Sequence, residues 1–205
     1  IFGKHIEVFY TFFGIHFKRK TGSPLRAESA VCGLNYSLFL SKEIENEEDK
    51  NHYLVYVLGK KSSIHNYDFL DTYGYRIISI YGGSQISAAI DERGAIHIIT
   101  NSIFSDPNRH THVTFLPESE LPVFIAFQGQ SILALSSRGN VYEYLQSEFD
   151  ETNYFHIVPE LIGKQCISLS GVNEHSLVVT KNGMVFGRGS NEFKQLARKN
   201  KRFEK

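Results

Sequence analysis

The sequence predicts an all-β fold assembled from repeated propeller-type blades. Its apolar runs are short and are separated by polar corners containing glycine, the pattern of strands joined by tight turns. The arrangement recurs: Gly139 follows Gly94 by 45 residues, and Gly183 follows Gly139 by 44. No long segment spaces its apolar residues at the i, i+3, i+4 interval of a helix. Strand-only units of about 40–50 residues point to propeller blades rather than to a helical solenoid.

Taken in order, each unit reads strand, Gly corner, strand, Gly turn, strand. Residues 1–29 form a partial blade or N-terminal segment, in which EVFYTFFG has the character of a last strand. The repeat domain covers 30–197, with units at about 30–60, 76–104, 122–146 and 165–197. The first unit offers VCGLNYSLFL as a hairpin and HYLVYVLG as its last strand. Its short turn is replaced by an insert carrying Glu43, Glu45, Glu47, Glu48 and Asp49, which reads as a solvated loop or a contact for a basic partner. The second unit pairs RIISIYGGSQ with SAAIDERGAIHI, and the third pairs PVFIAFQGQS with ILALSSRGNVY. The fourth, CISLSGVNEHS followed by SLVVTKNGMVF, is the most regular. Its Asn182-Gly183 is the strongest turn signal, because tight hairpins need positive φ and glycine adopts it without a Cβ clash. The connections after the second and third units each hold one further strand, HVTFL and FHIVPEL. Residues 198–205 form a basic tail.

Composition narrows the function classes. A chain of 205 residues with 41% hydrophobic and 21% charged residues can bury one good-sized core. Lys+Arg and Asp+Glu number 22 each, so there is no global electrostatic footprint for nucleic acid or chromatin. Cys32 and Cys166 are too few for a disulfide framework and read as reduced thiols, which places the chain in the cytoplasm or nucleus. Asn35-Tyr36-Ser37 matches a glycosylation acceptor by chance, at a predicted strand start. No apolar run approaches the ~18 residues of a membrane span, so no membrane partner is expected. The chain begins at Ile1 rather than Met, and its first stretch lacks a small-residue cleavage site. It reads as a segment of something longer.

The last unit resembles the repeat of the regulator of chromosome condensation family. The resemblance rests on Gly171, His175, Ser176, Leu177, Val179, Gly183, Val185, Phe186, Gly189, Asn191, Gln195 and Leu196. Arg188 stands where that repeat has Trp, Lys194 where it has Gly, and the chain contains no Trp. The two middle units keep the central strand-Gly-strand portion around Gly94 and Gly139. Kelch and Trp-Asp propellers fit less well, since their Trp and Gly-His signatures are absent. The resemblance implies a β-propeller of which about four blades are recognisable here, a partial ring. A partial ring leaves open sheet edges, which favour aggregation or a partner that supplies the rest.

The chemistry-bearing candidates read as structural. His175-Ser176 lacks an identifiable acid and a nucleophile elbow, so it is expected to hold a corner through hydrogen bonds. His110-Thr111-His112 puts two imidazoles on one strand face, short of a metal ligand set. Gly187-Arg188-Gly189 and Tyr81-Gly82-Gly83-Ser84 open no helix and read as turns and close packing. Arg198, Lys199, Lys201, Arg202 and Lys205, and the stretch His16-Phe17-Lys18-Arg19-Lys20, read as solvated charge or as nuclear-localisation or phosphate-contacting patches. Tyr36, Tyr53, Tyr56, Tyr81, Tyr142 and Tyr144 are expected to pack between blades. No catalytic residue, cofactor or metal is assigned. The expected function is a non-enzymatic protein-interaction scaffold. The alternative, implied by the resemblance, is a guanine-nucleotide exchange factor for a Ran-like small GTPase; a hydrolase using His175 is a remote third.

Overall fold

The computed structural model describes residues 27–43, 52–59, 68–69, 75–100, 112–144 and 154–197. The N-terminal segment, most of the acidic insert, His110, Thr111 and the basic tail lie outside the described residues. Among the described residues, fifteen strands form four antiparallel sheets in chain order. The first contains β1 (Ala27–Cys32), β2 (Tyr36–Glu43), β3 (His52–Gly59) and β4 (Asp68–Phe69). The second contains β5 (Ile77–Gly82), β6 (Ile86–Asp91), β7 (Ile96–Thr100) and β8 (His112–Thr114). The third contains β9 (Pro122–Gln128), β10 (Ser131–Ser136), β11 (Val141–Tyr144) and β12 (Phe155–Ile157). The fourth contains β13 (Cys166–Val172), β14 (His175–Thr180) and β15 (Val185–Gly189). HVTFL and FHIVPEL do supply outer strands, β8 and β12, each leading into a short 3-10 turn that starts with proline.

Each sheet pairs consecutive strands in an up-and-down order, and the sheets stack face to face along the chain. Three apolar cores fill the spaces between them. Leu38, Leu40, Val55 and Val57 of the first sheet meet Ile77, Ala89 and Ile99 of the second. Ile90, Ile96 and Ile98 meet Ile125, Ile132, Tyr142 and Phe155 of the third. Leu133, Leu135 and Val141 meet Leu169 and Val178 of the fourth. Alternation along each strand sends neighbouring residues into opposite cores, which is why both faces of the middle sheets are apolar. Tyr36, Tyr56, Tyr142 and Tyr144 are buried in these layers.

The inner strands approach so closely that no side chain fits at two equivalent places. A Cβ on Gly82 would lie 2.5 Å from the Cys32 carbonyl oxygen, and one on Gly171 would lie 2.6 Å from that of Phe127. The corners above them are tied together. Leu34 N–H donates to the Ser84 carbonyl at 3.2 Å, Ser84 Oγ donates to Asn173 Oδ1 at 3.1 Å, and Gly129 N–H donates to the Asn173 carbonyl. Tyr36 donates its hydroxyl to the Gly83 carbonyl at 2.7 Å and also bonds Ser87 Oγ.

At the opposite end, a turn repeats three times in the same geometry. Gly94, Gly139 and Gly183 have φ of 81°, 82° and 82°. Each glycine N–H donates to the carbonyl three residues earlier, on Asp91, Ser136 and Thr180, at 2.9, 3.0 and 2.9 Å. Those three residues return a bond through their own N–H to the carbonyls of Ala95, Asn140 and Met184. Their side chains are buried and clamp the same turn. Asp91 accepts from the backbone N–H of Arg93 and Ala95, Ser136 Oγ accepts from Asn140 N–H, and Thr180 Oγ1 donates to the Met184 carbonyl. In the first sheet Ser41, also fully buried, takes the corresponding place on β2.

Asp91 is the charged member of this set. It also accepts from Arg93 Nη2 at 2.6 Å and meets His97 Nε2 at 3.1 Å. Burial would raise its carboxyl, but the hydrogen bonds from Arg93, His97 and Ala95 outweigh it and hold the group below the usual carboxylate range. A folded value below the unfolded 3.8 adds stability above that pH, and this is lost as pH falls through the folded value. Asp91→Asn is therefore expected to lower stability at pH 7 by about 2 kcal/mol and to flatten the acid limb of a stability-versus-pH curve below about pH 4. An unchanged acid limb, measured by urea denaturation across pH, would assign that dependence elsewhere.

The glycine turns make a second, comparative prediction. A Cβ on Gly183 meets nothing within 4 Å, whereas one on Gly139 comes 3.0 Å from the Cys166 carbonyl oxygen and 3.3 Å from its nitrogen. Gly183→Ala should lose about 1 kcal/mol from the left-handed backbone alone. Gly139→Ala should lose at least about 1 kcal/mol more, because the third sheet must also shift against the fourth. Denaturation midpoints of the two variants decide it, and equal losses would remove the packing contribution.

Candidate interaction surface

The turn end of each sheet carries a second repeated feature. On each inner strand the pairing register skips one residue next to the clamped turn. Ala27 pairs with Ser41 and Ser29 with Leu40, leaving Glu28 as the extra residue. Ile78, Val123 and Ile167 are left in the same way between Ile77 and Ser79, Pro122 and Phe124, and Cys166 and Ser168. A bulge of this kind re-aims one side chain out of the sheet's alternation. Here it turns aliphatic residues to solvent: Ile78 is 52% exposed, Val123 51% and Ile167 59%. Glu28 is exposed at the fourth place.

Neighbouring groups extend this surface. Phe124 and Leu121 are exposed beside Val123. The Arg93 guanidinium lies 3.1 Å from the Tyr75 ring centroid and 5.8 Å from that of Phe115, both exposed aromatics. Arg138 and Lys181, exposed on the next two turns, add positive charge at its margin. Behind Arg138, Glu120 is buried and accepts from Asn140 Nδ2 at 2.8 Å. Burial would raise Glu120, but bonds from Ser136, Asn140 and Tyr142 and the charge of Arg138 hold it low. Tyr142 is pushed up to about 12 by burial and by the charge of Glu120. This network braces the Gly139 turn and brings no reacting atom to the surface.

The residues singled out in the sequence fall elsewhere. Gly94, Gly139 and Gly183 are in the turns just described. Ser176 is buried at the opposite end, and its Oγ donates to Gln128 Oε1 at 2.7 Å, so it bonds the neighbouring sheet rather than the backbone of its own corner. That bond engages the hydroxyl a hydrolase reading would need. His175 is half-buried beside it. Gly189, at φ 106°, sits against the Glu174 carbonyl. Asn191 Oδ1 accepts from Leu196 N–H at 2.8 Å and Gln195 Oε1 accepts from Phe193 N–H at 2.9 Å, folding the final loop on itself. Leu196 packs over Gly187. Arg188 makes a two-pronged ion pair with Glu143 of the third sheet. His112 approaches Tyr144 Oη at 3.5 Å, and burial lowers its imidazole. Among the described residues no cluster of three His, Cys, Asp or Glu could hold a metal ion, and no helix is long and apolar enough to cross a membrane. Cys32 is exposed and Cys166 buried, both free thiols.

The bulges and the clamping residues were not anticipated from the sequence. Two signals mark them. A polar residue stands three places before each turn glycine, and apolar residues stand side by side (Ile77-Ile78, Val123-Phe124, Cys166-Ile167) where a half-buried strand would alternate.

No family model matches the chain, and no curated protein matches it. Solved structures do. Human WBSCR16 superposes with a TM-score of 0.59 at 17% identity, over 81% of this chain and 48% of that one. Yeast RCC1 (Prp20), solved bound to Kap60, gives 0.58 at 14% identity, over 83% and 47%. A second structure of Prp20p from Saccharomyces cerevisiae gives 0.55 at 13% identity, over 82% and 44%. The chain spans about half the length of the structures it matches. At these identities the likeness establishes the fold, and the four sheets are those of an RCC1-like β-propeller.

Proposed function

We propose that this chain acts as a non-enzymatic protein-interaction scaffold. The observation that carries the reading is the set of aliphatic residues, Ile78, Val123 and Ile167, that equivalent bulges turn to solvent on three successive sheets. Exposed apolar groups on a rigid support mark interaction surfaces, since burying them against a partner recovers the hydrophobic free energy lost by exposing them. Flanking aromatics and arginines are the residue types that dominate interface energetics. Yeast RCC1 (Prp20) was solved bound to Kap60, and its structure was described together with its binding to Gsp1p and histones. Those statements concern that protein, and they favour a protein as the class of partner here.

A second reading is nucleotide exchange on a Ran-like small GTPase, favoured by the shared fold with yeast RCC1. It requires binding that shifts the GTPase toward a nucleotide-free state, with no covalent chemistry.

The test compares the unmodified chain with the triple variant Ile78→Glu/Val123→Glu/Ile167→Glu in proximity cross-linking, followed by titration of the purified cross-linked partner. Each substitution is at an exposed site and should change stability by no more than about 0.5 kcal/mol. The partner should bind the variant at least tenfold more weakly; equal affinity would rule out the bulge surface as the interface. In parallel, the chain should leave nucleotide release from a fluorescently loaded Ran-like GTPase unchanged. Marked acceleration would make exchange the function.

A further inference from the structure

Asn182-Gly183 is the only place in the sequence where asparagine precedes glycine; every other asparagine is followed by a residue with a side chain. The distinction is chemical. A main-chain nitrogen can attack the amide carbon of the asparagine before it, and a side chain on the attacking residue crowds that approach. A Cβ on Gly183 would meet nothing within 4 Å, so no neighbouring element crowds it either, and both residues are exposed. The corresponding turns carry Arg93-Gly94 and Arg138-Gly139, whose guanidinium side chains offer no amide carbonyl to attack.

The turn also gathers donors around the amide. Thr180 Oγ1 lies 2.6 Å from Asn182 Oδ1 and 3.0 Å from the Met184 carbonyl, so its one proton serves either acceptor. Met184 N–H reaches the same Oδ1 from 3.5 Å. Both stand where negative charge develops as the amide carbon is attacked, the arrangement that stabilises an oxyanion. One bond holds the reaction back. Gly183 N–H donates to the Thr180 carbonyl at 2.9 Å and must release it before the nitrogen turns toward Asn182. That bond lies in an exposed turn, where local opening costs far less than unfolding the sheet.

We propose that Asn182-Gly183 is a site of spontaneous deamidation in the folded chain, and that the product opens the clamped turn of the fourth sheet. Gly183 N gives up its proton to hydroxide and bonds to Asn182 Cγ. The Cγ–Nδ2 bond breaks, the departing nitrogen takes a proton back, and ammonia leaves a cyclic imide. Water then opens the ring. Opening at one carbonyl gives aspartate. Opening at the other gives isoaspartate, in which the main chain runs through the former side-chain carbon. Either route consumes a water and leaves a new carboxylate. Isoaspartate lengthens the main chain inside the turn. Gly183 N–H to the Thr180 carbonyl and Thr180 N–H to the Met184 carbonyl close that turn, and both cannot persist across the longer path. Lys181 N–H donates to the Gln165 carbonyl at 2.9 Å, just before β13, so the change reaches the inner strand as well. The chemistry does not depend on the bulge surface being an interface.

The test incubates the full chain at neutral and at alkaline pH, native and in urea, and maps its peptides by mass spectrometry that separates aspartate from isoaspartate. The peptide holding Asn182 should convert in the native chain, faster at the higher pH, at a rate within about tenfold of that in urea. Asn182→Gln should stop the conversion. Gly183→Ala should slow it at least about tenfold in urea, where the altered turn plays no part. The isolated isoaspartyl form should lose hydrogen-exchange protection at Thr180 and Gly183. Asn182→Asp, which adds the charge without lengthening the chain, should keep that protection. The proposal is overturned if native conversion falls below the tenfold limit, if Gly183→Ala converts as fast as the unmodified chain, or if the isoaspartyl form keeps full protection at the turn.

Discussion

The structure depends on one repeated constraint: a buried polar side chain at or near the end of each second strand. Ser41, Asp91, Ser136 and Thr180 occupy it, and all are buried. The last three close a turn whose glycine must adopt positive φ, and an unclosed turn would leave buried N–H and C=O groups without partners. Each also pairs across to an inner strand immediately before its bulge, at Ala27, Ile77, Pro122 and Cys166. Turn closure, strand register and the outward aim of the bulged residue are thus set at one place. Displacing the clamp would free the register, and a slip by one residue sends every apolar side chain to the wrong core.

The sheets then need little more than close approach to lock together. Gly82 and Gly171 allow backbone to lie against backbone, and the corner bonds through Ser84 and Asn173 join sheets that are distant in sequence. Dispersion contacts between the apolar faces, small individually, accumulate over these layers. Where the resembled repeat has Trp, Arg188 reaches Glu143 of the preceding sheet. Arg188 is 49% exposed in its side chain, so this pair adds little stability and chiefly fixes how the two sheets meet.

The periodic parts of this design were legible in the sequence. The turn glycines were evident because positive φ admits few residues, and the outer strands because β-branched and aromatic residues cluster in HVTFL and FHIVPEL. The clamp was harder to see, since Ser, Asp and Thr share geometry rather than identity: one accepts through a hydroxyl, one through a carboxylate, and one donates. The bulges were missed because an apolar doublet such as Ile77-Ile78 also fits a strand buried on both faces. Only the partner strand shows that one of the two is extra. Ser176 was expected to bond within its own corner. Strand alternation places it toward the third sheet, and Gln128, remote in sequence, is the acceptor.

The bulge surface follows from the way the sheets are packed. A sheet buried on both faces can meet a partner only at its strand ends or at its outer edge. The bulges use the strand ends, where a side chain can leave the alternation without disturbing either core.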